Sequence, residues 1–319
     1  MSSPSPATNF DDRARAALLG LACGDRFGAP LEFVSDASVR TRAVHLGHWT
    51  DDTHMSLYLG EAILAYGPMT HPPPFQPDRF GALVGEAFVR WRHDPLTPAT
   101  APGSTCLAGA RRFERDRNWQ TSGIRASDGC GAVMRIVPLA LAWRGETLLE
   151  AACISATVTH AHPNAREAAM AGAWLIRQVL ETGTWSGGMV AQAARYLEGA
   201  WGQGGQVAAS LRAALAWADS DEEWLDEGAI PPGDGGWRAG SALGLAVAAA
   251  LRWPQDLGLA VEKAARIQGD SDSVACLTGA ILGAALGTAA IPSAWRETLP
   301  QRAELDALAE RLIALENSD

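Results

Sequence analysis

Lysine is almost missing from this chain of 319 residues. Lys263 is the only one, and every other fixed cation is an arginine. That removes a P-loop, whose lysine reaches the phosphates of a nucleotide, and leaves no credible Schiff-base amine. Charge as a whole is sparse: Asp, Glu, Lys and Arg make up 19% of the residues, against 47% hydrophobic. This describes a folded globular protein with enough apolar material for one large core, not a disordered chain. Net positive charge is missing too. The formal net charge is −10, and the basic stretch "GARRFERDR", Gly109–Arg117, mixes both signs. A nucleic-acid surface is therefore not expected.

Paired cysteines are also lacking. Cys23, Cys106, Cys130, Cys153 and Cys276 are odd in number and none forms CxxC, so free thiols in a reducing cytoplasm are expected rather than disulfides or zinc. The opening "MSSPSPATNFDDRARAALLG" has no basic segment followed by an apolar one, so no secretory leader is expected. No apolar run reaches the ~20 residues that cross a membrane. The two most apolar stretches, Ala239–Leu251 and Val274–Ile291, read as buried core helices. No GxSxG, HExxH or strand-borne GxGxxG occurs, no β-branched alternation is long enough for a sheet, and no fixed-period repeat is visible.

What is present is helical periodicity. Helices are predicted over Asp11–Cys23 (ending at Gly24), Thr53–Tyr66, Asp78–Trp91, Ser104–Arg117, Gly131–Arg144, Thr147–Val158, Pro163–Thr182 and Met189–Gly199. Further ones follow over Gln206–Ala218, Asp221–Gly228, Trp237–Trp253, Pro254–Ile267, Ser273–Ala289 and Gln301–Asn317, with Gly and Pro between them. "HPPPFQP" (His71–Pro77) and His93–Thr105 are expected to be loops, of the kind that carry specificity. The reading is an all-α protein, with a flexible segment over residues 1–10 and a single compact multi-helix domain over 11–319.

Two acidic clusters stand out. "WTDDTHMSL" (Trp49–Leu57) sets Asp51 and Asp52 between threonines, and "GDSDSVACLTG" (Gly269–Gly279) sets Asp270 and Asp272 among serines. Each opens an apolar helix. Hydroxyls and acids at a helix start are ordinary capping residues. Two such clusters with the same hard-oxygen donors are also what Mg²⁺ or Ca²⁺ would take. In "GLACGDRFGAPLEF" (Gly20–Phe33), the glycines are read as breaking the helix into a tight loop, with Asp25 and Glu32 as acids in apolar company. "SDGCGAVMRIVPLAL" (Ser127–Leu141) reads as a turn entering a helix, with amides that suit phosphate. His160 and His162 in "THAHPNAREAA" read as polar histidines at a helix entrance in preference to zinc ligands. Trp237 in "GGWRAGSALGLA" is a stacking platform or ordinary core.

Taken in order, these segments resemble the ADP-ribosylglycohydrolase family, which includes dinitrogenase reductase-activating glycohydrolase and the ADP-ribosylarginine and ADP-ribosylserine hydrolases. The resemblance runs from about Asp11 to Gly287. It implies an all-α fold with a central cleft holding two Mg²⁺ ions, for which Mn²⁺ can substitute. By resemblance, Thr50, Asp51, Asp52, Asp270, Asp272 and Ser273 are metal ligands, and Glu32, Asp51, Asp52 and Asp272 carry catalysis. Gly103, Ser104 and Thr105 line the cleft, Ser127, Gly129, Cys130 and Gly131 hold the phosphates, and His160 and Trp237 complete the substrate site. The family commonly has threonines where this chain has Ser271 and Ser273, and an asparagine where it has Cys130. Serine keeps the oxygen ligand; the thiol does not replace an amide.

The implied activity is Mg²⁺-dependent cleavage at the ribose C1, releasing ADP-ribose from protein side chains, ADP-ribosylarginine foremost. ADP-ribosylserine and O-acetyl-ADP-ribose are alternative linkages. A non-catalytic ADP-ribose-binding module, a metal-dependent phosphohydrolase and a merely well-capped helical protein are alternative functions. The expected partner is an ADP-ribosylated protein or small ADP-ribosyl conjugate, with no membrane, nucleic acid only as a modified substrate, and a cytoplasmic monomer.

Overall fold

The computed structural model describes residues 9–68, 75–199, 202, 205–221 and 228–316. Among these the chain forms helices without a single strand: α1 (Phe10–Gly28), α2 (Ala37–Arg40), α3 (Asp51–Tyr66), α4 (Pro77–His93), α5 (Ser104–Asp116), α6 (Trp119–Ser122), α7 (Val137–Ala142), α8 (Gly145–Thr159), α9 (Pro163–Thr182), α10 (Gly187–Glu198), α11 (Gln206–Ala218), α12 (Ala239–Arg252), α13 (Leu257–Ala265), α14 (Ser271–Leu286), α15 (Ser293–Glu297) and α16 (Arg302–Glu316). The all-α expectation holds, and one continuous apolar core runs through these helices. Residues 1–8 of the expected flexible segment, most of the predicted helix Asp221–Gly228 and part of the loop His71–Pro77 lie outside the described residues.

The pair α1 and α14 forms the centre. The sequence reading ended the first helix at Gly24, but α1 continues to Gly28. The glycines serve contact, not breakage. A Cβ on Gly20 would lie 2.2 Å from the carbonyl oxygen of Gly279, and one on Gly24 would lie 2.1 Å from that of Ala275. A Cβ on Gly28 would meet the Asp272 Cα at 2.5 Å. The pairing descends one helix as it climbs the other, so the helices are antiparallel and touch backbone to backbone. The C-terminus of α1, with Asp25 and then Glu32, is thereby laid against the N-terminus of α14, with Asp270 and Asp272. α12 and α14 are buried along nearly their whole length, as expected of the two most apolar segments. No described helix is long and apolar enough to cross a membrane.

A second departure lies after the loop at Ser127. A continuous helix over Gly131–Arg144 was predicted. The chain instead makes a short 3-10 turn at Cys130–Ala132 and restarts as α7. Arg135 is the reason on one side: it is fully buried, and its guanidinium takes the Gly131 carbonyl that a helix would have offered to a backbone amide. On the other side Pro138 has no N–H and is tolerated only in the first turn of α7.

If the α1–α14 contact sets the fold, then Gly24→Ala should cost about 3 kcal/mol, since the clash is with rigid backbone. Gly47→Ala, where a Cβ would meet nothing within 4 Å, should stay within about 0.5 kcal/mol of the parent. Urea unfolding midpoints of the two variants check this.

Candidate active site

Asp25 organises the first half of the site. It is wholly buried, and four donors at the start of α3 converge on it in five hydrogen bonds, one amide being shared between its two oxygens. Its Oδ1 accepts from Thr50 N at 2.8 Å and from Thr50 Oγ1 at 2.9 Å. Its Oδ2 accepts from Thr53 N at 3.0 Å, Thr53 Oγ1 at 2.5 Å and Thr50 N at 3.1 Å. These bonds fix the first turn of α3 and so the positions of the two residues between the threonines. Asp51 takes the Gly103 amide on Oδ2 at 2.9 Å, which draws the 94–103 loop to the site. Asp52 places Oδ2 3.3 Å from Thr50 Oγ1, while its Oδ1 is buried without a hydrogen-bond partner.

The second half comes from the start of α14. Asp270 Oδ2 accepts from the Cys130 thiol at 3.0 Å, and Asp272 Oδ1 accepts from Ser273 N at 3.0 Å. Asp270 N donates to Gly235 O at 2.8 Å, which ties this turn to the glycine-rich loop before α12.

The third part is the loop Gly123–Gly131. It is pinned by backbone bonds of Ile124 N to Thr159 O, 2.8 Å, and of Cys130 N to Trp237 O, 3.1 Å. Ser127 and Thr105 hydroxyls meet at 3.1 Å. Behind the loop, Arg135 Nη2 donates to Thr159 Oγ1 at 2.7 Å, and that hydroxyl lies 2.8 Å from His160 Nδ1. The guanidinium donates to this hydroxyl, which links the buried charge to the imidazole through one shared oxygen. Burial, and then the Arg135 charge, push the His160 pKa down to about 3, so the ring is neutral.

These parts enclose one pocket with about 570 Å³ of empty space, open to solvent. Glu32, Asp51, Asp52, Asp270, Asp272 and Ser273 line it on one side. Gly103, Ser104, Thr105, Ser127, Gly129, Cys130, Gly131, His160 and Trp237 line the rest. Of the residues assigned to the site by resemblance, Thr50 alone is not in the lining; its hydroxyl turns to Asp25 and caps α3. His162 is also elsewhere, capping α9 through the Asn164 amide. Asp25 and Arg135 went unassigned by sequence reasoning. The signal for each was charge inside an apolar run, the Asp25–Arg26 pair in "GLACGDRFG" and the single Arg135 in "GAVMRIVPLAL". Ala101, in the lining, and Phe33, next to Glu32, both hold left-handed backbone without being glycine, at φ 50° and 52°. Such strain gathers at ligand sites.

The electrostatics are severe. Burial raises the pKa of Asp25 to about 6, and burial followed by the charges of Asp270 and Asp25 raises Glu32 to about 7. Asp51 rises to about 8, first through burial, and Asp52 and Asp272 rise well above the usual carboxylate range for the same cause. A group of acids like this must hold protons or cations. Among the described residues no three His, Cys, Asp or Glu side chains are disposed as a finished ligand set. The donor chemistry nevertheless suits a hard cation: carboxylate and hydroxyl oxygens from two helix starts, with the orphan Asp52 Oδ1 in their midst.

Comparison with known proteins places this geometry. A family model described as ADP-ribosylglycohydrolase matches residues 6–319. A protein of Archaeoglobus fulgidus with no assigned function is 30% identical over 96% of this chain and 97% of its own. The ADP-ribosyl-[dinitrogen reductase] glycohydrolase of Rhodospirillum rubrum is 33% identical over 48% of this chain, a stretch that spans 52% of that protein. The ADP-ribosylarginine hydrolase Tri1 of Pseudomonas putida is 30% identical over 49% of this chain and 43% of its own. A solved structure titled ADP-ribosylglycohydrolase-related protein complex superposes with a TM-score of 0.76 at 27% identity, covering 97% of this chain and 99% of that one.

The raised pKa values fix the sign of a pH effect. Asp25, Glu32 and Asp51 titrate near 6, 7 and 8 in the fold, against 3.8 and 4.5 for free carboxyls. Their contribution to stability is complete below about pH 4 and is lost as pH rises through 6 to 8. In chelator-treated protein the thermal midpoint should fall by roughly several degrees between pH 5 and pH 8. Asp51→Asn should flatten that slope. A midpoint that climbs steadily to pH 8 in the parent protein would contradict the burial cost.

Proposed function

The chain belongs to the ADP-ribosylglycohydrolase family, and from that premise we propose that it is a Mg²⁺-dependent hydrolase that frees ADP-ribose from modified protein side chains, with ADP-ribosylarginine as its principal linkage. The observation that carries the proposal is the meeting of Asp51 and Asp52 with Asp270 and Asp272 in one pocket beside Glu32. The relatives acting on ADP-ribosyl-dinitrogen reductase and ADP-ribosylarginine support the linkage. The free thiols of all five cysteines support a reducing, cytoplasmic setting.

Thr50, Asp51 and Asp52 on one side, and Asp270, Asp272 and Ser273 on the other, would hold two Mg²⁺ ions, with Mn²⁺ as a substitute. When bound, the ions supply positive charge and Lewis acidity to the ribose hydroxyls and to water. The rest falls to the chain. The neutral His160 and the turn Ser127–Gly131 receive the diphosphate. Trp237, exposed and edge-to-face with Phe33 at 5.6 Å, offers a ring to the base.

Cleavage at C1 builds positive charge on the ribose ring, which the surrounding carboxylates favour. Glu32 is half-buried where the other pocket acids, Asp51, Asp52, Asp270 and Asp272, are buried, which leaves it the acid most open to water. It takes a proton from water as the water oxygen bonds to C1. The C1–N bond breaks with its electrons to nitrogen, and Glu32 returns the proton to the departing guanidine.

Release of ADP-ribose from a panel of arginine-, serine- and acetyl-linked conjugates tests the reading. Glu32→Gln should lower kcat by about 10³-fold with KM little changed. Asp52→Ala and Asp272→Ala should abolish turnover and weaken Mg²⁺ binding while leaving the helical circular-dichroism spectrum intact. Full activity after exhaustive chelation would refute the metal role. Calorimetric binding of ADP-ribose without turnover on any conjugate would make the protein a binding module.

A further inference from the structure

The mixed-sign stretch on α5 becomes informative once folded. Arg111, Arg112 and Arg115 line an open groove with Arg92 from the end of α4. Leu107 and Ala108, both half-buried, line it one turn back along α5. Ser104, at the start of α5, belongs both to this groove and to the acidic pocket. The groove therefore adjoins the site at Ser104.

Its charge is not internally balanced. Glu114 answers Arg92 at 2.7 Å and His93 at 2.8 Å, and Asp116 answers Arg115 at 2.6 Å. Arg112 makes one hydrogen bond among the described residues, to the Gly123 carbonyl at 3.5 Å, and feels the Asp116 charge without pairing with it directly. Arg111 is exposed and has no hydrogen bond or ion pair among the described residues. Neither guanidinium fork is in a salt bridge with a carboxylate among the described residues, on a chain whose formal charge is −10. Such forks match carboxylates bidentately.

We propose that this groove docks an acidic segment of the modified protein and leads it past Ser104 into the site. The proposal rests on the reading of the substrate as an ADP-ribosylated protein. The helix supplies a ruler. At 1.5 Å per residue, Arg111 lies about 10 Å from Ser104 and Arg115 about 17 Å. An extended peptide covers those distances in about three and five residues. Targets with Asp or Glu three to five residues from the modified side chain are favoured. A nucleic acid fits less well: the groove follows about three turns of one helix, Glu114 and Asp116 interrupt it, and the whole molecule repels polyanions.

The test compares two ADP-ribosylarginine peptides, one with glutamates and one with serines at the third to fifth positions from the modified residue. The wild-type chain is set against Arg111→Ser/Arg112→Ser, a change at exposed positions. The acidic peptide should show a KM about tenfold lower, an advantage lost in the double variant and in about 0.5 M salt. The serine peptide should be cleaved alike by both proteins. Equal KM values for the two peptides with wild type, or a variant that loses both peptides alike, would overturn the proposal.

Fluorescence anisotropy with the unmodified acidic peptide, and with a short single-stranded DNA as rival, separates the groove from the chemistry. If neither modified peptide is cleaved, salt-sensitive binding of the acidic peptide that the variant loses still supports the groove, and only the hydrolase reading fails. No difference between wild type and variant, or tighter and variant-sensitive binding of the DNA, overturns it.

Discussion

Carboxylates withdrawn from water repel one another, and most of what is distinctive in this protein follows from setting several of them around a single pocket. Nothing in the local sequence of either acidic cluster requires the other. The backbone contact of α1 with α14 supplies the requirement. Because Gly20, Gly24 and Gly28 bring the two helices together without side chains between them, the end of one helix and the start of the other share a site. The contact places Glu32 beside Asp270 and Asp272 as a matter of geometry. Bulk at any of those glycines would separate the acids as surely as it would strain the core.

Asp25 has a different part from its acidic neighbours. They face the pocket; it faces the peptide. Four donors from Thr50 and Thr53 saturate its two oxygens with five hydrogen bonds, so its charge is spent on holding the first turn of α3. Asp51 and Asp52 are then left without freedom to swing apart, even though like charge urges them to. Arg135 plays the matching part behind the phosphate-side loop. It bonds to the carbonyls of Gly131 and Ser155 and to the Thr159 hydroxyl, and lies 4.4 Å from the centre of the Phe88 ring. It shapes the loop and holds the hydroxyl that meets His160 from a position no substrate can reach.

Much of this was legible in the residues. Helix identity came through because apolar spacing is a local signal, and α9 and α11 have the predicted ends. The acidic clusters were legible because paired acids with hydroxyls at an apolar helix start are chemically specific. What escaped was whatever depends on an unseen partner. The glycines of α1 read as breakers because a glycine gives the same local signal whether it bends a helix or admits a neighbour. The break after Cys130 was hidden because an inward-turned arginine diverts a backbone carbonyl, which no periodicity records. The bond from the Thr50 hydroxyl to Asp25 was equally out of sight, since Asp25 lies a whole segment away in the chain. The basic groove was dismissed for its mixed signs, yet on a helix Glu114 and Asp116 pair with only some of the arginines.

A diphosphate-bearing ligand approaching this pocket meets a physical contradiction. The site is lined with acids, the ligand is an anion, and the overall charge of the protein is negative. The fixed cation buried behind the loop, Arg135, is committed to carbonyls and a hydroxyl. His160 cannot supply charge, since a pKa near 3 keeps it neutral. The exposed arginines of α5 line the neighbouring groove, where they can draw in a segment of a target without neutralising the pocket. Protons on the acids would relieve the repulsion, but they would also remove the negative charge that a developing ribosyl cation needs. Divalent cations resolve both demands at once, leaving the carboxylates ionised while making the pocket hospitable to an anion. That is the physical ground on which the proposed ions rest, and it holds whichever linkage is cleaved.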